Sequence, residues 1–93
     1  MTTTFIRYVE SKRHSDSKGW TFIVHASLHT DEESYEGRVH FIYDGDETEP
    51  ELEPHKVQGE LQNIPYEYID MLKKWAGEAA FKRFQKVHKP KGK

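Results

Sequence analysis

The chain reads as a small α+β domain: a three- or four-stranded antiparallel β-meander packed on one face by a C-terminal amphipathic α-helix. Three observations predict this. Residues 20–29 and 37–44 alternate between apolar and polar side chains with a period of two, the mark of half-buried strands. An acidic stretch with two prolines, residues 44–54, then interrupts the pattern. Beyond it, apolar residues recur at three- and four-residue spacing, as one face of a helix requires.

The first strand is expected over residues 4–10, which are rich in β-branched and aromatic side chains and run into the polar, turn-prone residues 11–19. In the second, residues 20–29, Trp20, Phe22, Val24, Ala26 and Leu28 share one face, and Thr21, Ile23, His25, Ser27 and His29 the other. The third, residues 37–44, sets Val39, Phe41 and Tyr43 against Arg38, His40, Ile42 and Asp44. Residues 30–36 form a long hairpin loop between them.

A one-residue slip would exchange the faces of a strand. Pairing Val24 and Ala26 with Phe41 and Val39 therefore requires facing residue numbers with an odd sum, 65 or 67. With 65, His25 faces His40; with 67, His25 faces Ile42 and His40 faces Ser27. A fourth, weaker strand occupies residues 56–61.

Residues 65–88 read as one helix. Asn63 or Ile64 caps it, Pro65 suits its first turn, and Glu67 and Asp70 complement the positive end of the helix dipole. Tyr68, Leu72, Trp75, Ala76 and Ala79 form the stripe expected to cover the Trp20/Phe22/Val24/Leu28 face. Residues 1–88 thus make a single domain, followed by a basic tail, residues 89–93.

Composition bounds the function. Leu, Ile, Val and Phe number 19 of 93 residues, but 12 aromatics and a net charge of −2 favour a folded, thinly cored domain. There is no cysteine, hence no disulfide framework and no thiolate metal site. No apolar run approaches 18 residues, and the opening residues lack the basic region and apolar core of a secretory signal, so a cytoplasmic protein without membrane partners is expected. The charge is unevenly placed. Residues 1–30 carry +2, residues 31–60 carry −9 and residues 61–93 carry +5.

No catalytic motif is present, and neither cofactor nor metal is implied. His25, His29 and His40 share the face opposite the aromatic one, and imidazoles in that setting could hold a metal or exchange protons. However, His25 and His29 lie about 13 Å apart along a strand rising 3.3 Å per residue, and histidine is at home on a wet sheet face. Asp44, Gly45, Asp46 and Glu47 offer hard oxygens without the spacing of a calcium loop.

Two segments point to a partner. Asp44, Asp46, Glu47, Glu49 and Glu51 could present an ordered anionic surface that imitates a nucleic-acid backbone in a basic groove; alternatively they form a solvated loop. On the helix, Phe81 lies about 180° and Phe84 about 120° from Leu72. With His88 they make a second stripe, interleaved with Lys82, Arg83, Lys86 and Lys89. If the helix bends at Gly77 these rings join the core. If it does not, they are exposed and await a second copy of the chain, a protein groove or a single-stranded nucleic acid.

The leading expectation is a non-enzymatic regulatory or inhibitory binding protein, acting through Asp44, Asp46, Glu47, Glu49, Glu51, Phe81 and Phe84 on another protein, such as a nucleic-acid-processing complex. In style alone, such a short, cysteine-free, charged chain resembles the accessory proteins of phages and mobile elements that block a host machine. The alternative is a nucleic-acid-binding module using Lys82, Arg83, Lys86, His88 and Lys89.

Overall fold

The alternating runs pair as their periodicity demands, and the computed structural model describes residues 2–15, 19–43 and 53–87. Thr3–Arg13 (β1), Trp20–His29 (β2), Ser34–Tyr43 (β3) and Lys56–Gly59 (β4) form one four-stranded antiparallel sheet in sequential order. Ile69–Val87 (α1) packs against one face of it. Phe22, Val24, Ala26 and Leu28 of β2 meet Val39, Phe41 and Tyr43 of β3 in the buried core beneath the helix.

The hairpin parity holds, but its register differs from expectation. Trp20 faces Tyr43 and His29 faces Ser34, a sum of 63 rather than 65 or 67. The cause is a shorter turn. The Thr30 N–H donates to Glu33 O at 2.8 Å, and the Thr30 hydroxyl accepts from the Glu32 and Glu33 amides at 3.3 and 3.0 Å. Such a side-chain turn lets β3 begin at Ser34. In consequence His25 faces Arg38, and His40 faces Ile23.

β1 extends beyond residues 4–10 at both ends and carries a bulge. Ile6 faces Ala26 and Tyr8 faces His25, leaving Arg7 as the extra residue. Ile6 and Val9, three positions apart, therefore both lean toward the helix side, whereas Phe5 and Tyr8 share the open face. Deleting Arg7 should leave a regular ladder with every apolar residue on its present face. Deleting Glu10 instead must exchange the faces on one side of the cut. Urea denaturation is expected to find the first deletion folded and the second severely destabilised; equal losses would refute the bulge assignment.

β4 is shorter than residues 56–61, because the chain turns at Gly59 (φ 78°) into a 3-10 turn, Glu60–Asn63. The helix likewise starts later than Pro65. Pro65 is extended, Tyr66–Tyr68 form a second 3-10 turn, and α1 follows without a break.

The helix stripe differs from the expected one. Leu72, Ala76, Ala80 and Phe84 are buried, at four-residue steps. Such a row drifts about 40° per step and runs inclined to the helix axis. A twisted sheet can follow it, so α1 buries Phe84 while remaining helical through Gly77. Phe84 is only 3 % exposed, stacked on Tyr43 at 5.1 Å and edge-on to Phe22 at 5.9 Å. Phe81 is half-buried beside Tyr43 and Phe84. The exposed Phe81/Phe84 stripe is thus corrected: Phe84 belongs to the core. Trp75, expected in the core, is 50 % exposed, since it lies on the β1 side of the helix and β1 is the edge strand of the sheet.

No helix among the described residues is long and apolar enough to cross a membrane.

Candidate functional site

The expected contact residues separate into three groups. Asp44, Asp46, Glu47, Glu49 and Glu51 lie outside the described residues, as do His88 and Lys89. Phe84 is core. Lys82, Arg83 and Lys86 come together on exposed turns of α1.

Three cations at positions i, i+1 and i+4 fall within an arc of about 100° around a helix and so share one side of it. Here that side overhangs β1. Lys82, Arg83 and Lys86 line a recess of about 400 Å³ with Tyr8 and Val9. The Arg83 Nε donates to Ser11 Oγ on β1 at 3.2 Å, which holds the guanidinium over the strand. Neither Lys82 nor Lys86 pairs with a carboxylate among the described residues. Lys82 also belongs to a neighbouring recess of about 440 Å³, lined by Ile6, Trp75, Glu78, Ala79, Phe81 and Gln85. The two together make a cleft along the β1 edge. One end is cationic, and the other has an apolar floor, a half-exposed indole and a single carboxylate.

Tyr8 forms the lip of this cleft. It is 57 % exposed, and its ring stacks on His25 at 4.1 Å with 12° between planes. The open sheet face therefore begins where the cleft ends. On it Phe5, 54 % exposed, meets His29 edge-on at 5.2 Å. Arg38 and Gln58 continue the row of Tyr8 and His25 across the sheet. The acids of this face are engaged: Glu36 with Arg7 at 3.2 Å, and Glu10 with His25 at 3.4 Å and Lys12 at 3.8 Å. Arg38 has no carboxylate partner among the described residues.

The histidines are dispersed. His25 reaches Glu10, His29 lies 3.1 Å from Ser27 Oγ, and His40 lies 2.7 Å from Gln58 Oε1. No three metal-ligating side chains converge among the described residues. Ser27 is buried, 1 % exposed, so its hydroxyl is closed to a substrate.

The opposite end of the domain is anionic. Asp31, Glu32, Glu33 and Glu67 surround a recess of about 340 Å³ with Tyr35 and Tyr68. Tyr35 donates its hydroxyl to Glu33 at 2.5 Å, and that carboxylate raises the phenol above its ordinary range by stabilising the protonated form. The described part of the molecule thus has an acidic end and a basic cleft.

Sequence reasoning found the cations but missed Tyr8, Phe5, Trp75 and Arg38 as accessible neighbours. One signal was present: Ile6 and Val9 are three apart in a strand, which requires an extra residue between two inward positions. That β1 would be the edge facing the basic turns had no local signature. No family model matches the chain, and comparison with curated proteins and with solved structures finds no match either.

Proposed function

We propose that this protein is a non-enzymatic binding module that holds single-stranded nucleic acid in the cleft between β1 and α1. One observation carries the reading: Lys82, Arg83 and Lys86 line the same recess as Tyr8, whose exposed ring lies on the adjoining open sheet face, and no carboxylate lines that recess among the described residues. Cations on a helix face attract phosphates, and accessible rings beside them offer bases a stacking partner. Glu78 at the Trp75 end repels phosphate. The backbone accordingly follows the cationic end, and a base occupies the apolar recess beside Trp75. A duplex, whose bases already stack on one another, has no use for these rings.

The test is anisotropy of a labelled oligothymidine at several salt concentrations. Low-salt binding is expected, with a Lys82→Ala/Lys86→Ala variant lowering the slope of log K against log salt by about 1.4, at roughly 0.7 per phosphate contact for single strands. Absence of binding at low salt, or an unchanged slope, rejects the reading.

A second reading, a regulatory or inhibitory protein that occupies a basic site on another protein, is favoured by Asp31, Glu32, Glu33 and Glu67 around one recess. It would leave the oligothymidine titration flat, so the same experiment separates the two.

A further inference from the structure

We infer that the nucleic-acid path does not stop at the cleft but crosses the β1 edge and continues over the open sheet face, where bases stack on Tyr8 and Phe5 and a phosphate meets Arg38. This rests on the cleft reading and extends its site.

The bulge makes the path continuous. In a regular strand Phe5 and Tyr8, three residues apart, would point to opposite faces; the extra residue Arg7 puts both rings on the open one. Their partners on β2, Ser27 and His25, are two residues apart, so the two rings are anchored at backbone positions about 7 Å apart along the sheet. Tyr8 also lines the cationic recess, and is therefore shared between the cleft and the sheet.

Both rings are already braced. Tyr8 lies flat on His25, and Phe5 is held edge-on by His29, so neither must be ordered when a base arrives. Aromatic rings more than half exposed on an open four-stranded sheet offer the stacking platform that single strands use.

Charge on this face selects the same occupant. Glu10 and Glu36 are engaged with cations or imidazole, whereas Arg38 and the exposed Lys56 pair with no carboxylate among the described residues. Arg38 stands beside His25 on β3, two strands further from the cleft than Tyr8. A strand leaving Lys82 and Lys86 over Tyr8 thus meets, beyond His25, a guanidinium with no carboxylate partner among the described residues. An acidic peptide would satisfy the cations but leave the two rings without a flat partner.

The experiment compares labelled thymidine 4-mers and 12-mers at low salt, using wild type, Phe5→Ala, Phe5→Tyr and Arg38→Gln, with folding checked by urea titration. Wild type should prefer the 12-mer. Phe5→Ala should weaken the 12-mer roughly 5- to 150-fold, the effect of losing one stacking ring, and leave the 4-mer unchanged. Phe5→Tyr, which keeps a ring, should restore the 12-mer affinity, and Arg38→Gln should reduce the salt slope for the 12-mer only.

Equal 12-mer affinity for wild type and Phe5→Ala, with binding still dependent on Lys82 and Lys86, would overturn the extension alone. Failure of both oligomers to bind would remove the cleft reading and the extension with it. Equal competition by a twelve-residue polyglutamate would overturn nucleic acid as the occupant.

Discussion

Phe84→Ala is expected to destabilise the domain by about 3 to 5 kcal/mol, the usual cost of emptying a buried aromatic site. The ring is almost fully enclosed, stacked on Tyr43 and edge-on to Phe22. Its loss also removes the ring contacts with Tyr43, Phe22 and Phe81, each worth roughly 0.5 to 1.5 kcal/mol beyond area burial. Small domains are stable by only about 5 to 15 kcal/mol, so this variant should be partly unfolded at 37 °C. Urea titration should show a large fall in midpoint at nearly unchanged slope. A loss below about 1 kcal/mol would return Phe84 to the surface and revive an exposed stripe. The result also guards the binding experiments: weak binding by this variant would report unfolding rather than a lost contact.

Gly37→Ala is expected to cost about 1 to 3 kcal/mol or more, as overpacking does when no flexible neighbour can yield. A methyl on Gly37 would sit 2.1 Å from the backbone oxygen of Gln58, and 3.2 Å from Leu61 Cγ. Backbone cannot swing aside as a side chain can, so β4 must move away from β3. Gly37 faces Gly59, whose φ of 78° belongs to the left-handed region that other residues avoid. The two glycines let the last strand approach closely and then turn into Glu60–Asn63. Hydrogen exchange should show Val57 and Gln58 losing protection while the β1–β2 ladder keeps it. Uniform loss across the sheet, or none, would contradict this account.

Both effects arise where local pattern and tertiary contact diverge. Gly37 reads as an ordinary strand start, because nothing within a few residues reveals that a distant carbonyl crosses it. Phe84, 120° from Leu72, reads as too far round the helix for a flat surface. The sheet is not flat, and small side chains at Ala76 and Ala80 let the helix lie close enough for the row Leu72, Ala76, Ala80, Phe84 to reach it. Trp75 fails in the opposite sense. Its spacing from Tyr68 and Leu72 suits the core stripe, yet it lies on the side of the edge strand β1, where no further strand among the described residues covers it.

The candidate site was legible in the same partial way. Lys82, Arg83 and Lys86 follow directly from helical spacing, since residues one turn apart share a side of the helix. Their aromatic neighbour Tyr8 comes from β1, some 75 residues earlier in the chain, and could be joined to them only by the packing. The three histidines share the open face as alternation requires. Their grouping failed because the Thr30 turn shortened the loop and moved the register to Trp20–Tyr43.

Period-two alternation in β2 and β3, the proline-bearing break and the three-to-four spacing of α1 were enough to determine an antiparallel sheet of three or four strands under one helix, and which face of β2 and β3 is buried. These are local properties, because the direction of each side chain along a strand or helix depends on a few backbone angles. Only the tertiary structure decided the register, the close crossing at Gly37 and Gly59, the burial of Phe84 and the accessible lip at Tyr8. Each of these depends on how one element lies against another, and the twist of a sheet and the edge of its outermost strand exist only once all the strands are assembled.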